Sequence, residues 1–318
     1  MSKPTLVITG GAGFIGSHLA QRMRDRYKLV LFDNLRRDSL QYVPELRDDP
    51  DISFIQGDIL DRDAMFQAID GAEAVVHMAA IAGVSAYHDY PLKTLHTNIE
   101  GGFNLLDAVR AAGTVKRLIA FSSSEVYGPK AENVNESMPM VSGPPSESRW
   151  VYSVSKLALE HAVISFAKEC PEVSCSNIRP FNVYGPRQTG EGAISNFCRK
   201  LLAGEPLQIY GDGSEVRAWC FVDDLLDAME EMWECPEASG KSFNIGYPET
   251  ACTTNELAET LIRVAGRGEL KHIPREHTPL PLRKPDITLA RTTFGFDPKV
   301  GLEEGLKRTL QWFEETGA

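Results

Sequence analysis

The amino-acid sequence predicts an α/β fold built on a doubly wound parallel sheet, on the evidence of three features. Short apolar runs alternate with segments whose apolar residues recur at helical spacing. The runs are apolar along their whole length, as expected for strands buried between two layers of helices. A glycine-rich turn, Gly10–Gly13, separates the first run from the first helical segment. Right-handed crossovers between such strands give the doubly wound arrangement.

The alternation assigns the elements in order. Strands are predicted at Thr5–Thr9, Leu29–Phe32, Ile52–Ile55, Ala74–His77 and Leu118–Phe121. The clearest helices are predicted at Phe14–Met23, Thr97–Ala112 and Ser153–Ala167. The stretch Pro129–Arg149 is rich in Pro, Ser and Glu and predicts a long loop. Loops of that length in a compact domain usually form the lid or wall of a site.

The pattern changes after Arg179, where Pro and Gly become frequent and few strands are expected. Later helices are predicted at Ala193–Ala203, Val222–Trp233, Thr254–Ala265 and Leu302–Glu314. We therefore expect a dinucleotide-binding Rossmann domain at residues 1–179. A smaller mixed α/β substrate-binding lobe is expected at residues 180–318, with segments near residues 214–246 packing back on the first domain.

Composition and charge limit the class of protein and its partners. The chain has 318 residues, of which 42% are hydrophobic, enough for a well-buried core. A net charge of −11 repels phosphate backbones and anionic membranes, so we expect neither nucleic acid nor membrane as a partner. No apolar run approaches the roughly 20 residues that span a bilayer. No signal peptide precedes the first strand, so a cytoplasmic protein is expected.

The cysteines and histidines do not predict a metal site. The six cysteines form no pair at zinc spacing and none neighbours a histidine, and the seven histidines are dispersed. We interpret the cysteines as free, buried thiols.

Gly10, Gly13 and Gly16 lie between a predicted strand and a predicted helix. The first glycine permits a tight turn, the second leaves room for a pyrophosphate, and the third lets helix and strand approach. The helix would present free N–H groups and its positive dipole end to the phosphates. This pattern predicts a dinucleotide site, with a purely structural turn as the alternative.

Asp33, at the end of the second predicted strand, indicates which dinucleotide binds. Its carboxylate can accept hydrogen bonds from both ribose hydroxyls and would repel a 2′-phosphate, which favours NAD. Arg36 and Arg37 follow closely and could hold such a phosphate, so NADP stays open. Asp58 follows the third strand, where it could contact the adenine, whereas Asp61 is expected to cap a helix.

Tyr152 and Lys156 share one face of a predicted helix at spacing i, i+4. A tyrosine is a poor base near its ordinary pKa of about 10. A lysine cation and a positive nicotinamide nearby would favour the phenolate and make Tyr152 a candidate general base. The serine cluster Ser122–Ser124, at the end of the fifth strand, could bridge a substrate hydroxyl to Tyr152.

The chain resembles extended short-chain dehydrogenases of the nucleotide-sugar epimerase/dehydratase family over nearly its whole length. The resemblance is carried by the motifs VITGGAGFIGSHLA at Val7–Ala20, FDN at Phe32–Asn34, GDI at Gly57–Ile59, VVHMAA at Val75–Ala80, SSSEVYG at Ser122–Gly128, YSVSK at Tyr152–Lys156, RPFNVYGPR at Arg179–Arg187, YGDGSEVRAWCFVDD at Tyr210–Asp224 and RKPD at Arg283–Asp286.

The resemblance implies roles for residues beyond those already reasoned out. It implies that Ser123, Tyr152 and Lys156 are catalytic, with Tyr152 and Lys156 also touching NAD. Further cofactor contacts would come from Phe14, Ile15, Asn34, Ile59, Ala79 and Ala80. A nucleotide-sugar substrate would contact Ser123, Asn182, Arg187, Arg217 and Arg283. It also implies a homodimer formed through two long helices per subunit, near Thr97–Ala112 and Ser153–Ala167.

In this family the first step is oxidation at the sugar C4, and the resulting 4-keto sugar makes three second steps accessible. A carboxylate at C6 can leave as carbon dioxide, a C6 hydroxyl can be eliminated, or the ketone can turn over and be reduced on its other face. Dehydratases of the family have an Asp-Glu pair where this chain has Ser124-Glu125. A serine hydroxyl is too weak an acid to protonate the leaving hydroxyl, which disfavours dehydration.

The sequence Ser123-Ser124-Glu125 resembles UDP-glucuronate decarboxylases, as do Arg149-Trp150 and Arg283–Asp286. On that interpretation Glu125 and Arg283 flank the carboxylated end of the sugar, and Ser124 and Glu125 join the catalytic set. We therefore predict decarboxylation of an NDP-hexuronate, with a UDP-sugar 4-epimerase as the alternative. An NAD-sensing regulatory protein on the same fold also stays open, although intact Tyr152 and Lys156 favour an enzyme.

Overall fold

The computed structural model describes residues 3–129, 131–275 and 280–318. Seven strands form one parallel sheet in the order β12-β7-β5-β4-β1-β2-β3. These strands are β1 Thr5–Thr9, β2 Lys28–Asp33, β3 Ile52–Gln56, β4 Ala74–His77, β5 Arg117–Phe121, β7 Ser174–Pro180 and β12 Lys241–Ile245. The strand order reverses between β1 and β4, which opens a crevice at their carboxyl ends. The predicted doubly wound parallel sheet is confirmed.

Helices cover both faces of this sheet. Their bounds are α1 Phe14–Met23, α2 Arg62–Ile69, α3 Val84–Asp89, α4 Pro91–Ala112, α5 Trp150–Glu169, α6 Ala193–Leu202, α7 Val222–Trp233, α8 Thr254–Ala265, α9 Thr288–Phe294 and α10 Leu302–Thr316. Alternate residues of β1 enter different cores, because successive side chains point to opposite faces of a strand. Leu6 and Ile8 pack with residues of α1 and α7, whereas Val7 packs with residues of α2, α4 and α5.

Short strands build the second lobe. They are β6 Ala131–Val134, β8 Val183–Tyr184, β9 Leu207–Tyr210, β10 Val216–Arg217, β11 Cys220–Phe221, β13 Cys252–Thr253, β14 Leu270–Ile273 and β15 Leu282–Pro285. A four-stranded sheet has the order β13-β10-β15-β6, and two-stranded sheets pair β11 with β8 and β14 with β9. Because β6 pairs with β15, the four-stranded sheet joins segments that lie far apart in the chain.

Two expectations about strands were wrong. Strands are not sparse after Arg179, and the stretch Pro129–Arg149 is not entirely loop, because β6 lies in it and pairs with β15. Apart from β12, which has five residues, these strands have two to four residues and pair with segments far along the chain, so no local periodicity marks them. Two strands of the large sheet, β7 and β12, were also missed, because buried Ser and Asn side chains interrupt their apolar pattern.

The long helices agree with expectation. Helices α7 and α8 have the predicted bounds, and α4 begins earlier than predicted, at Pro91, which suits the first helical position. Within the described ranges, no helix has both the length and the apolar character needed to cross a membrane.

A candidate active site at the carboxyl edge of the large sheet

The glycine turn between β1 and α1 forms one wall of a cavity of about 330 Å³. Gly10 has a φ of +75° and donates its N–H to the carbonyl of Phe32 at 2.8 Å. A Cβ at Gly10 would approach the backbone nitrogen of Ala79 to 2.9 Å, and one at Gly16 would overlap the carbonyl oxygen of Gly10. Gly13 gives α1 no side-chain cap, so the first N–H groups of the helix remain available to phosphates.

Eleven of the thirteen expected cofactor residues line the cavity together, whereas Tyr152 and Lys156 are not among its lining residues. The eleven lining residues are Gly10, Gly13, Phe14, Ile15, Gly16, Asp33, Asn34, Asp58, Ile59, Ala79 and Ala80. Asp33 accepts hydrogen bonds from the backbone N–H groups of Ala12 at 3.1 Å and Leu35 at 2.8 Å. Burial raises the pKa of this carboxyl, and the two backbone bonds oppose that rise. Asp61 caps α2 by accepting from the N–H of Ala64, as expected.

Other residues of the cavity wall were missed by the sequence analysis. The buried Thr97 hydroxyl has no hydrogen-bond partner among the described residues, and it faces the same cavity as Lys93 and Arg37. A glycine-lined cradle, the Asp33 carboxylate at the end of β2 and an unsatisfied buried hydroxyl together fit a dinucleotide. Lys93 and Thr97 carry no motif of their own, because one polar side chain per helical turn is ordinary on a surface helix.

Residues Gln188–Glu191, in the loop between β8 and α6, line another part of the cavity. We call this segment the strap. Arg187, just before it, has a φ of +66° and donates to His18 at 2.7 Å and to Gln21 at 2.8 Å, both on α1. His18 in turn donates to the carbonyl of Pro186 at 2.9 Å, and burial lowers its pKa to about 3, so its ring is neutral.

This placement gives Arg187 a structural role. Its guanidinium is buried and donates to two side chains of α1, and the expected contact with a sugar nucleotide stays a prediction. Its charge-assisted hydrogen bonds anchor the strap to the helix that follows the glycine turn. The motif GPR alone could not distinguish the two roles, because both require a buried arginine after β8.

Tyr152 and Lys156 lie in the first two turns of α5, on the side facing the end of β5. The Lys156 ammonium is 5.9 Å from the centre of the Tyr152 ring and donates to the carbonyl of Phe121 at 2.7 Å. Burial lowers the pKa of Lys156 to about 8, and the charge of Glu160 opposes that change. Tyr152 therefore has a buried cation beside it, as the i, i+4 spacing predicts.

The pKa of the Tyr152 phenol is higher than the sequence analysis expects. Burial raises its pKa to about 12, and repulsion by the Glu125 carboxylate adds to the rise. A hydrogen bond with Ser123 and the charge of Arg37 partly offset these effects. The pocket of this chain thus holds the phenol protonated, and the contact with Ser123 is in place.

The serine cluster opens a 3₁₀ turn, Ser124–Tyr127, directly after β5. Ser123 caps this turn, since its hydroxyl accepts the N–H of Glu125 at 3.1 Å. The guanidinium of Arg283 crosses beneath the turn, where it donates to the carbonyls of Ser124 and Gly128. It also meets the Glu125 carboxylate at 3.3 Å while only 2% exposed. The turn therefore carries both Ser123, which hydrogen-bonds Tyr152, and Glu125, which pairs with Arg283.

Arg217 and Asn182 approach this cluster from the second lobe. Arg217 is the direct neighbour of Arg283 across the paired strands β10 and β15. Burial lowers the pKa of Arg217 to about 10, with repulsion by Arg283 as the next cause. Asn182 donates its side-chain amide to the carbonyl of Ala218 at 2.8 Å, beside β10. Two adjacent guanidiniums in a sheltered position suit an anionic ligand.

A second cavity, of about 350 Å³, lies in the second lobe and was not foreseen. It is lined by residues of α6, β9 and the start of α8, with Arg275 at its edge. No sequence motif announces it, because its walls come together only when β9 pairs with β14.

The chain is similar to known proteins both in sequence and in structure. A model of the NAD dependent epimerase/dehydratase family matches residues 6–246. The UDP-N-acetyl-alpha-D-glucosaminuronate decarboxylase of Bacillus cytotoxicus is 33% identical, over 98% of this chain and 98% of that protein. The UDP-glucose 4-epimerase of Mycolicibacterium smegmatis is 33% identical, over 96% and 97%. The crystal structure of UDP-glucuronic acid 4-epimerase from Bacillus cereus, with UDP-glucuronic acid and NAD, matches with a TM-score of 0.88 at 27% identity, covering 98% of this chain and 99% of that one.

Proposed function

The chain belongs to the NAD dependent epimerase/dehydratase family, and from this premise we propose that it oxidises C4 of an NDP-hexuronate and releases the C6 carboxylate as carbon dioxide. It is an NAD-dependent enzyme of the extended short-chain dehydrogenase type. A substrate such as UDP-glucuronate carries both a diphosphate and a sugar carboxylate. The proposal therefore needs a site with two places for negative charge.

The observation that carries the proposal is the buried guanidinium of Arg283 on the Glu125 carboxylate, which belongs to the turn that Ser123 caps. A planar guanidinium binds carboxylate or phosphate through paired hydrogen bonds, and it holds its charge even when buried. Arg217, next to Arg283, supplies a second cation for the diphosphate. The decarboxylase relative, which aligns over nearly the whole of both chains, supports the same reaction class.

NAD would lie along the glycine turn, with its adenosine ribose on Asp33 and its phosphates at the start of α1. When bound, it supplies a hydride acceptor at the nicotinamide end. Lys156 would hold the nicotinamide ribose and favour the Tyr152 phenolate. Thr97 and Arg37, in the same cavity, are further cofactor contacts in this proposal.

In the proposed reaction, different side chains of the enzyme transfer the proton and hold the substrate. Tyr152 takes the proton of the C4 hydroxyl, and Ser123 bridges that hydroxyl to the phenol. Arg283 holds the carboxylated end, with Glu125 fixing the guanidinium. When the bond between C5 and C6 breaks, its electron pair moves onto C5 and the C4 oxygen, where Tyr152 and Ser123 donate hydrogen bonds. A proton added at C5 and hydride return at C4 leave a pentose nucleotide.

A 4-epimerase is the second candidate, and the match to the UDP-glucuronic acid 4-epimerase structure favours it. The first step and the roles of Tyr152, Lys156 and Ser123 are the same in both reactions. The reactions differ in whether the keto sugar keeps its carboxylate and turns over before it is reduced. Product analysis therefore separates them.

We expect incubation of the enzyme with UDP-glucuronate and NAD to yield carbon dioxide and a pentose nucleotide, detected by mass spectrometry after chromatography that separates epimers of equal mass. The reason is that Arg283 and Glu125 place the carboxylate next to the C4 ketone. Tyr152→Phe serves as the inactive control, since it removes only the proton-accepting oxygen. Recovery of UDP-galacturonate without loss of carbon dioxide would establish the epimerase instead, and an unchanged substrate would refute both.

We also propose a homodimer and a cytoplasmic location. Helices α4 and α5 pack on one another and carry the exposed apolar side chains Leu92, Phe103 and Val154. An exposed apolar strip on two long helices is suited to a second copy of the same surface. The acidic net charge argues against nucleic acid or membrane partners.

A further inference from the structure

We propose that Arg179 is a positioning residue that locks the helix bearing Tyr152 and Lys156 to the turn bearing Ser123 and Glu125, with the Tyr127 hydroxyl as the connecting group. Neither Arg179 nor Tyr127 touches the substrate in the proposed function. Their effect on turnover would come from the relative position of the two elements. The inference rests on the proposed function only for its kinetic assay.

The first half of the connection is an ion pair inside the core. Arg179, at the end of β7, donates through Nε to one Glu160 oxygen at 2.8 Å and through a terminal nitrogen to the other at 2.7 Å. Both side chains are almost fully buried, and Ser242 donates to the same carboxylate at 3.0 Å. Glu160 lies one helical turn beyond Lys156 and two beyond Tyr152, so this pair fixes the rotation and height of α5.

The second half reaches the catalytic turn. The remaining terminal nitrogen of Arg179 donates to the Tyr127 hydroxyl at 2.7 Å. Tyr127 is 2% exposed and is the last residue of the turn that begins at Ser124. One guanidinium therefore holds α5 with one edge and the turn with the other. A rigid planar fork can maintain that spacing, whereas a flexible ammonium cannot.

The connection continues into the second lobe through Asn244 on β12. The Tyr127 hydroxyl donates to Asn244 at 2.8 Å. The amide of Asn244 donates to the carbonyls of Val134 at 2.8 Å and Asp286 at 3.1 Å. Asp286 directly follows β15, the strand that presents Arg283. A single chain of hydrogen bonds thus joins Tyr152's helix, Ser123's turn and the strand of Arg283.

A buried ion pair is weak evidence for stability, because apolar residues of similar volume often stabilise a core as well. A fully satisfied polar network is better suited to fixing one arrangement of the groups around it. Here the arrangement concerned is the contact of Ser123 with Tyr152. If the turn moved away from α5, that hydrogen bond would lengthen and the phenol would ionise less readily.

The test uses Tyr127→Phe, with Tyr184→Phe as the matched control. Tyr184 is another buried phenol, and its hydroxyl donates to the carbonyl of Leu302 at 3.4 Å, outside the network. We expect Tyr127→Phe to lower kcat about tenfold and to leave KM within about twofold, because binding groups are untouched. The acid limb of its pH profile should move to higher pH. Tyr184→Phe should keep the wild-type kcat and profile.

Arg179→Lys provides the second variant. The lysine keeps a cation near Glu160 but cannot also donate to Tyr127. We expect it to reproduce the kinetic defect, and the double variant with Tyr127→Phe to be no slower than the single ones, since both break one connection. Additive losses, a wild-type profile in Tyr127→Phe, or an equal defect in Tyr184→Phe would overturn the proposal.

A measurement without any sugar separates this inference from the proposed function. Ionisation of Tyr152 in the NAD-bound enzyme can be followed by ultraviolet difference absorbance, each variant against its own Tyr152→Phe counterpart. We expect a higher midpoint in Tyr127→Phe and an unchanged one in Tyr184→Phe. A shifted midpoint without conversion of any hexuronate would refute only the proposed function. Conversion with an unmoved midpoint and rate would refute only the positioning role.

Discussion

Tyr152 shows how one residue's chemistry depends on its immediate neighbours. Burial and the Glu125 carboxylate both favour its protonated form, whereas the Ser123 hydrogen bond and the Arg37 charge favour the phenolate. The first two prevail, so the pKa of Tyr152 rises to about 12. Lys156, with a pKa of about 8, loses its charge in the mildly alkaline range. Turnover that needs both the phenolate and the ammonium should therefore be sensitive to pH.

We expect Glu125→Gln to move the acid limb of the pH profile of kcat/KM to lower pH, by roughly one unit. Removal of a negative charge lowers the pKa of a nearby phenol, so the phenolate forms at a lower pH. Glu132→Gln, an exposed carboxylate on β6, serves as the control and should leave the limb in place. An unmoved limb, or one displaced to higher pH, would contradict the electrostatic account, whatever the absolute rate.

The glycine turn shows how the position of a whole helix, α1, depends on its close neighbours. Helix α1 lies so close to the turn that Gly16 has no room for a side chain against the Gly10 carbonyl. This close approach brings the helix N-terminus to the cofactor cavity. Any added atom must displace α1 from β1, and the N–H groups at its start would move with it.

We expect Gly16→Ala to weaken NAD binding at least about tenfold and to destabilise the fold by about 1–3 kcal/mol through overpacking. Gly301→Ala is the matched control, because Gly301 has a φ of −61° and a Cβ there would meet nothing within 4 Å. Titration of NAD by fluorescence quenching and thermal unfolding would report the two effects. Equal NAD affinity in both variants would show that the close approach is unnecessary.

The sequence predicted the elements whose pattern is local. Helices with a strong 3.6-residue periodicity, such as α7 and α8, could be placed to the residue. Strand β7 could not, because its buried Ser176 and Asn177 donate hydrogen bonds to distant residues: to the carbonyl of Ala238, more than sixty residues away, and to that of Glu160, seventeen residues away. In the site, too, only the parts with a local pattern could be predicted. The glycine turn and the pair Tyr152 and Lys156 are local motifs, whereas the strap and the role of Arg187 depend on contacts between distant segments.

At the scale of the whole molecule, the exposed apolar side chains are unevenly distributed. Leu92 and Phe103, on α4, are 78% and 53% exposed, and Val154, on α5, is 41% exposed. These two helices lie on the same face of the large sheet, where their apolar residues could cover those of a second copy. The proposed homodimer would use this face of α4 and α5.

We expect the wild-type protein to be a dimer at micromolar concentration and Phe103→Glu to convert it to a monomer, because a charge would be buried without a partner. Phe54→Glu is the matched control, since Phe54 is 41% exposed but lies on the edge strand β3. Sedimentation velocity would distinguish the states. A monomeric wild type, or dissociation caused equally by Phe54→Glu, would rule out the α4 and α5 interface.

The position of β12 has a consequence for how the chain is made. When a ribosome has released the chain through Pro180, six of the seven strands of the large sheet are available, and β7 is an open edge. The seventh strand emerges only with Ile245, after α6 and α7 have been synthesised. Closure of this sheet therefore depends on a pairing between residues far apart in the chain, a type of contact that forms slowly. Until then the nascent protein exposes an edge strand, and it is at this stage that a chaperone would be most useful.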